Sequence, residues 1–214
     1  FDTFQGSGEL IEAHTSDSGG GWTKPYGSAL VVTDGAAPTI GPAQYGFTVA
    51  ADATGYTYPQ HFACATAEFD VTHAPTTYYG SIQVAMVYPL LPGQTVFLSV
   101  TMSDAGGYTL DASGLVSPIA IAFEQGPNTL QIRITLSTGA VSYLLNGDVV
   151  ATALLGTRGI NMGFSVSASG DSAVAGESTI GLVIRSAYLY DTLTPTPPAG
   201  AWWRKAINAT LEPV

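Results

Sequence analysis

Hydrophobic and polar residues alternate strictly over residues 130–136, and the alternation resumes after a turn. The apolar members are Leu130, Ile132, Ile134 and Leu136, followed after a turn by Val141, Tyr143 and Leu145. A period of two is typical of a strand with one buried face. The dipeptide Asn146-Gly147 then separates two such runs, and it favours a tight hairpin because both central residues must adopt positive φ. The pattern predicts a β-meander.

Shorter apolar runs recur along the rest of the chain, separated by Gly, Pro, Asn and Asp, and none has a convincing helical period. Strands are predicted over 29–32, 44–49, 62–71, 81–88, 95–102, 108–112, 118–123, 160–168 and 179–190. Many short strands at this spacing indicate a sandwich. The predicted fold class is therefore all-β, a two-sheet antiparallel jelly roll with an extended C-terminal tail.

The composition changes at residue 192 and predicts two parts. Residues 1–191 should form the jelly-roll domain, and residues 192–214 a Pro-rich spacer followed by a Trp-containing arm. The prolines favour an extended polyproline II spacer. Because adjacent tryptophans are costly to leave in water, Trp202, Trp203 and Ile207 are expected to bury against their own domain or against a neighbouring molecule, with disorder as the remaining alternative.

The charge balance narrows the classes of partner. Only 10% of the 214 residues are charged, and 6 Lys+Arg against 16 Asp+Glu give a net charge of −10. Nucleic acid and anionic membrane surfaces are excluded as partners, because both are bound by basic faces. No apolar run reaches the length of a membrane span, and no signal peptide is predicted. The start at Phe1 indicates a trimmed or partial chain.

Candidate catalytic and metal-binding groups are sparse. The single cysteine, Cys64, lies in a strand-like run and is predicted to be a buried free thiol. His14, His61 and His73 are scattered without the spacing of a zinc site, so each is expected to be a surface or hydrogen-bonded residue. The chain has no nucleophile elbow and no phosphate-binding loop.

The opening segment, FDTFQGSGELIEAHTSDSGGGWT, resembles the start of concanavalin A-like lectin and glucanase domains, most closely those on bacteriophage structural proteins. The matching positions are Asp2, Phe4, Gly6, Gly8, His14, Thr15, Asp17, Gly19 to Gly21 and Trp22. The later segments NTLQIRITLSTGAVSYLLNGDVV, GINMGFSVSAS and IRSAYLYD are similar to the same family. The resemblance covers roughly half of the chain and is more specific for fold than for function.

This resemblance implies two facing antiparallel sheets, one of them curved into a concave groove, with the N-terminal and C-terminal strands side by side. It implies that sugar, where bound, lies in the groove or on its rim loops. A structural calcium near the closing strand is common in the family, and on this chain that strand ends at Asp191. The alternative for Asp191 is a solvated strand end, and no cofactor is required.

Hydrolases of this superfamily carry a strand motif resembling E-x-D-x-E, with two carboxylates that act on the glycosidic bond. The corresponding residues here are Glu68, Asp70 and Thr72, so the third acidic position is lost. No catalytic residues are assigned, and the chain is predicted not to be an enzyme.

Aromatic residues between Gly and Pro are the candidates for glycan contact. They are Tyr56, Tyr58, His61, Tyr78 and Tyr79. A tyrosine ring can stack on a sugar while its hydroxyl forms hydrogen bonds, but the same properties suit subunit interfaces and ordinary packing at the rim.

Two functions are therefore expected. The first is a non-enzymatic protein on the virion surface, a phage capsid decoration or tail component whose partners are a capsid or tail protein, other copies of itself and a glycan. The second is a secreted, extracellular carbohydrate-binding module or lectin, with a glycoside hydrolase the less favoured alternative.

Overall fold

The computed structural model describes most of the chain up to the end of the last strand. The described residues are 2–17, 19–27, 30–32, 35–38, 43–47, 56–57, 62–71, 78–87, 92–102, 107–122, 126–158, 161–172 and 182–190. The predicted tail, 192–214, lies outside them, so the division into two parts stays a prediction.

Strands make up most of the described part. These are β1 (Glu9–Leu10), β2 (Trp22–Gly27), β3 (Leu30–Val32), β4 (Ala36–Pro38), β5 (Ala43–Phe47), β6 (Tyr56–Thr57), β7 (Phe62–Val71), β8 (Tyr78–Val87), β9 (Val96–Met102), β10 (Tyr108–Ala112), β11 (Ile119–Ile121), β12 (Gly126–Thr135), β13 (Ala140–Leu145), β14 (Asp148–Leu154), β15 (Asn161–Ser172) and β16 (Leu182–Tyr190). Two 3₁₀ turns, Ile11–Ala13 and Pro92–Gln94, accompany them, and neither is long or apolar enough to cross a membrane.

Two antiparallel sheets face each other. The first sheet has the strand order β1-β3-β4-β16-β7-β12-β13-β14. The second has the order β11-β10-β9-β8-β15-β5-β2, and β6 pairs with β15 beside this path. The all-β, two-sheet sandwich predicted from the alternation is confirmed.

The core lies between the sheets and follows from the period of two. In β12, Leu130, Ile132 and Ile134 are buried, whereas the residues between them are partly exposed. From the second sheet, β8 contributes Ile82 and Val84. Burial of each such side chain stabilises the fold by about 1.5–3 kcal/mol.

The two ends of the described chain meet in the first sheet. The Asp2 amide donates to the Ala187 carbonyl, and the Ala187 amide donates to the Asp2 carbonyl, both at 2.9 Å. This bridge places the N-terminal segment beside β16, the arrangement that the family resemblance implied.

The predicted hairpin at Asn146-Gly147 is confirmed. Asn146 has φ 53° and Gly147 has φ 91°, the left-handed conformations that the turn requires. Asn146 also holds the neighbouring strand, because its Oδ1 accepts from the Thr129 amide at 2.8 Å and its Nδ2 donates to Asn128 Oδ1 at 2.9 Å.

Four strands were not predicted, β1, β2, β4 and β6, and β1 and β6 are only two residues long. Strand β2 contains Pro25, which breaks a strand pattern because it cannot donate to a neighbour. The strand is tolerated because it lies at the end of its sheet order. Strand β4 is only three residues long, Ala-Ala-Pro, and carries no alternation to detect.

Candidate functional site

The central strand β7 buries both of its faces. Ala63, Ala65 and Ala67 belong to the core between the sheets. Successive side chains of a strand point to opposite sides, so the residues between them lie on the outer face of the first sheet. There Thr66 and Glu68 are nonetheless buried, at 6% and 1% exposure. Polar groups buried in this way need partners.

Strand β12 supplies partners from one side. Gln131 pairs with Thr66 in the strand register, and Arg133 with Cys64. Gln131 Nε2 donates to Thr66 Oγ1 at 2.9 Å, and Arg133 Nε donates to Gln131 Oε1 at 2.6 Å. These bonds form a chain from a buried hydroxyl to a partly exposed guanidinium.

Strand β16 supplies partners from the other side. A register shift between Ile184 and Ser186 places Ser186 opposite Glu68. The Ser186 hydroxyl donates to a carboxylate oxygen of Glu68. Burial raises the pKa of Glu68 to about 7, against the lowering effect of the Ser186 hydrogen bond. At neutral pH, Glu68 is therefore divided between its protonated and ionised forms.

The same register shift brings Arg185 to Asp70, with a distance of 3.3 Å between Nη2 and Oδ2. Both side chains are about one quarter exposed, at 27% and 25%. An ion pair this exposed contributes little to stability, about 1 kcal/mol or less. We call the outer surface formed by Thr66, Glu68, Asp70, Gln131, Arg133, Arg185 and Ser186 the polar face.

Cys64 pairs with Arg133 in the register of β7 and β12 and is a buried free thiol, as predicted. Burial raises the pKa of the thiol to about 11, while contacts with Thr66 and Arg133 act in the opposite direction. The thiol is therefore neutral at physiological pH, which makes it inert as a nucleophile.

The residues of the opening motif form a second cluster, around the buried carboxylate of Asp2. Its Oδ2 accepts from Trp22 Nε1, and its Oδ1 accepts from the Phe4 amide at 2.8 Å. The Phe4 and Trp22 rings pack with their centroids 5.1 Å apart. We call Asp2, Phe4, His14 and Trp22 the N-terminal clamp.

His14 joins the clamp between two carboxylates. Its Nε2 lies 3.1 Å from Asp2, and its Nδ1 lies 2.8 Å from Glu9 Oε1. Burial lowers the pKa of His14, but the hydrogen bonds and charges of Glu9 and Asp2 outweigh it and raise the pKa above 6.5. The opening motif thus fastens the N-terminal segment to the sheet, which is a structural role.

The predicted aromatic glycan residues are only partly described. Tyr58 and His61 lie outside the described residues, and the side chains of the other three are not described. The backbone of Tyr56 pairs with Met162, whereas Tyr78 pairs with Ser172, near the opposite end of β15. Ten strand residues, about 33 Å, separate these positions. Glycan contact by these residues stays a prediction.

The predicted metal and arm residues, Asp191, Trp202, Trp203 and Ile207, lie outside the described part. Within it, no three His, Cys, Asp or Glu side chains are grouped so that they could hold a metal ion. The structural calcium at Asp191 therefore stays a prediction.

Sequence reasoning missed Gln131 and Arg133 as site residues. Both were visible as the polar members of the alternating run, and the period of two placed them on an outward face. Local periodicity does not determine the register of β7 and β12, which brings these two residues to Thr66 and Cys64, far away in the chain.

Comparison with known proteins gives structural matches only. No family model and no curated protein matches the chain. An uncharacterised protein from Mycobacterium paratuberculosis is similar with a TM-score of 0.54 and 10% identity, over 88% of this chain and 98% of that one. Trypanosoma rangeli sialidase with 2,3-difluorosialic acid has a TM-score of 0.52 and 10% identity, over 90% of this chain and 30% of that one.

A third match is the CBM2 module of the evolved Dit of Lactobacillus casei BL23 phage J-1, with a TM-score of 0.47 and 12% identity, over 83% of this chain and 81% of that one. The chain spans less than a third of the sialidase chains that it matches. The two matches with TM-scores above 0.5, at 10% identity, show a likeness of fold alone.

Proposed function

We propose that this chain is a non-enzymatic carbohydrate-binding β-sandwich of the concanavalin A-like kind, and that it binds sugar on the polar face. One observation carries the proposal. On the outer side of the first sheet, amide, guanidinium, hydroxyl and carboxyl groups are joined by hydrogen bonds and are backed by buried strands.

The polar face has the chemistry that sugar hydroxyls need. Each hydroxyl both donates and accepts, so a sugar site combines acceptors such as carboxylates with donors such as amides and guanidinium groups. Gln131 and Arg133 are partly exposed and held in place by Thr66. Side chains fixed in this way lose little conformational entropy when a ligand binds.

The absence of hydrolytic activity is part of the proposal. Retaining glycosidases need two carboxyl groups that both reach the sugar. Here Glu68 is 1% exposed and accepts from Ser186, while Asp70 pairs with Arg185. Thr72 occupies the third position of the motif.

A glycan array followed by titration tests sugar binding on this face. The wild-type protein should give a selective signal, and Gln131→Ala should weaken binding of the best glycan about tenfold, because one of the fixed hydrogen bonds is lost. Thr109→Ala is the matched control, since Thr109 is an exposed strand residue of the second sheet. It should bind as the wild type does.

Both variants should keep the wild-type melting temperature within a few degrees, which separates lost binding from lost folding. An array without signal above background would overturn the proposed function. Equal affinity of wild type and Gln131→Ala would move the sugar site away from the polar face.

We further propose display on a bacteriophage particle, as a capsid decoration or tail component. The resemblance of the opening segment to phage structural proteins supports it, together with the low content of charged residues. A secreted lectin or carbohydrate-binding module is the alternative. Purification from the source material separates the two, because a particle component should be recovered with a shell or tail protein in fixed ratio, whereas a secreted lectin should be recovered free.

A further inference from the structure

Arg133 is a cation of the polar face that has no counter-ion among the residues that the structure describes. The chain has only six Lys+Arg against sixteen Asp+Glu, so carboxylates outnumber cations by more than two to one. Arg185 is paired, with Asp70. Among the described residues, no carboxylate lies within ion-pair distance of Arg133.

The described groups that contact Arg133 are neutral. Its Nε donates to the Gln131 amide oxygen at 2.6 Å. The residue opposite on β7 is Cys64, whose thiol is protonated at physiological pH. A partly buried charge among neutral groups has lost part of its hydration without gaining an ion pair, so an incoming anion is stabilised there.

The orientation of the guanidinium is fixed as well. Thr66 holds Gln131, and Gln131 holds Arg133 through Nε. The Nε–H donor is used in that bond and the guanidinium also contacts the Cys64 thiol. The other N–H donors are left for a ligand, and a carboxylate matches the planar fork of an arginine. Preorganisation of this kind favours a flat, bidentate anion over a spherical one.

The local charge permits an anionic ligand despite the net charge of −10. Asp70 is neutralised by Arg185, and Glu68 is buried beneath the surface beside Ser186. At the ionic strength of a cell, charges beyond about 8 Å are largely screened. The charges on the polar face itself therefore determine the electrostatic potential that a ligand meets there.

We propose that Arg133 binds the carboxylate of an acidic sugar unit, so that the polar face selects acidic over neutral saccharides. The inference rests on the proposed function and adds the class of ligand. Arg133 is assigned as the residue that determines specificity, with Gln131 as the residue that positions it.

The test is calorimetric titration with an oligosaccharide of galacturonic acid and with the neutral galactose chain of the same length and linkage. The wild type should prefer the acidic chain by about tenfold or more, and the preference should shrink at high salt. Arg133→Gln should lose the preference, because its affinity should fall much more for the acidic chain than for the neutral one. Arg158→Gln is the matched control, because Arg158 lies near Leu136 and Thr157, outside the polar face, and it should retain the preference.

A second variant guards against a folding defect in the first. Gln131→Glu places a carboxylate beside Arg133 at the position of the present amide, so it should satisfy the cation internally and abolish the preference. Melting temperatures of all variants are measured alongside the titrations.

Three outcomes separate the claims. Equal binding of acidic and neutral chains by the wild type overturns the role of Arg133 and leaves the proposed function standing. Tighter binding of a sulfated galactose chain than of the galacturonate chain overturns the assignment of a carboxylate. No binding of any saccharide overturns the proposed function and this inference together.

Discussion

At the scale of single residues, the clearest charge arrangement is His14 between Asp2 and Glu9. Both ring nitrogens face carboxylate oxygens, at 3.1 and 2.8 Å, so the imidazolium form can donate to both whereas a neutral ring can donate to only one. Because Asp2 also bridges to Ala187, the charge state of His14 bears on how firmly the N-terminal segment is held to β16.

Stability should therefore fall as the pH rises past the pKa of His14. The folded-state pKa lies above 6.5, so the contribution is fully present below pH 6.5 and is lost as the pH rises through the folded-state value. Urea denaturation at a series of pH values measures this fall. His14→Gln should cost about 1.5–3 kcal/mol at pH 6 and should flatten the dependence, because a hydrogen bond to a charged partner is lost. The same slope in the variant would contradict the assignment.

Glu68 makes a separate contribution with its own variant. Its pKa is raised from 4.5 to about 7, so folding favours the protonated carboxyl, and the associated stability is present below pH 4.5 and lost as the pH rises through 7. Glu68→Gln keeps the size of the side chain and cannot ionise. It should be more stable than the wild type well above pH 7, by up to about 2–3 kcal/mol, and similar to it near pH 4.5.

His14 is present in both the wild type and Glu68→Gln. The difference between their unfolding free energies, measured well above pH 7 and near pH 4.5, therefore reports the effect of Glu68 alone. A Glu68→Gln protein that is no more stable than the wild type at alkaline pH would show that the carboxylate is not destabilised by burial.

At the scale of elements, three glycines differ in how strictly their positions require glycine. A Cβ added at Gly21 would have no atom of the surrounding residues within 4 Å, and the φ of Gly21 is not positive. Gly147 has equal room but φ 91°, whereas Gly139 has φ 71° and an added Cβ there would lie 1.8 Å from the Gly156 carbonyl oxygen. Replacement by alanine therefore tests a position with open space at Gly21 and the backbone conformation alone at Gly147. At Gly139 it tests the backbone conformation combined with a steric clash.

Replacement of each glycine by alanine should destabilise the protein in that order. We expect a change within about 0.5 kcal/mol for Gly21→Ala, a loss of about 1–2 kcal/mol for Gly147→Ala, and a loss above about 3 kcal/mol for Gly139→Ala. Urea denaturation at one pH gives all three values. Equal losses at Gly21 and Gly147 would show that the hairpin does not need its left-handed residue.

The predicted elements match the structure best where the hydrophobic period and the turn-forming residues indicate the same strand boundary. Strands β7 and β10 end where the alternation ends, and the Asn146-Gly147 turn was predicted from its φ requirement. Strand β2 was not predicted because it contains Pro25. A proline is compatible with a strand at the edge of a sheet, where β2 lies. The polar face was not predicted, because it depends on strand pairings between residues far apart in the chain, and local periodicity does not determine them.

At the scale of the whole molecule, the described strands close into a sandwich without the tail. The bridge between Asp2 and Ala187 already joins the two ends of the described chain. Removal of residues 192–214 should therefore leave a folded β-protein, as judged by far-UV circular dichroism and a cooperative melting transition. If the tail is the arm that docks on a particle, the shortened protein should no longer join it.

A shortened chain that unfolds would instead show that the tail belongs to the core of the domain. Retained assembly of a folded shortened chain would overturn the docking role of Trp202, Trp203 and Ile207, whereas it would leave the sugar-binding proposal untouched.

We propose that carbohydrate binds on the polar face, the outer surface of the first sheet. The most direct measurement is a two-dimensional ¹H–¹⁵N spectrum of the labelled protein, titrated with the glycan that gives the strongest array signal. We expect the amides of 64–70, 131–133 and 185–186 to shift together, with one dissociation constant. Shifts confined to the amides around Tyr56 or Tyr78, with the polar face unchanged, would contradict it.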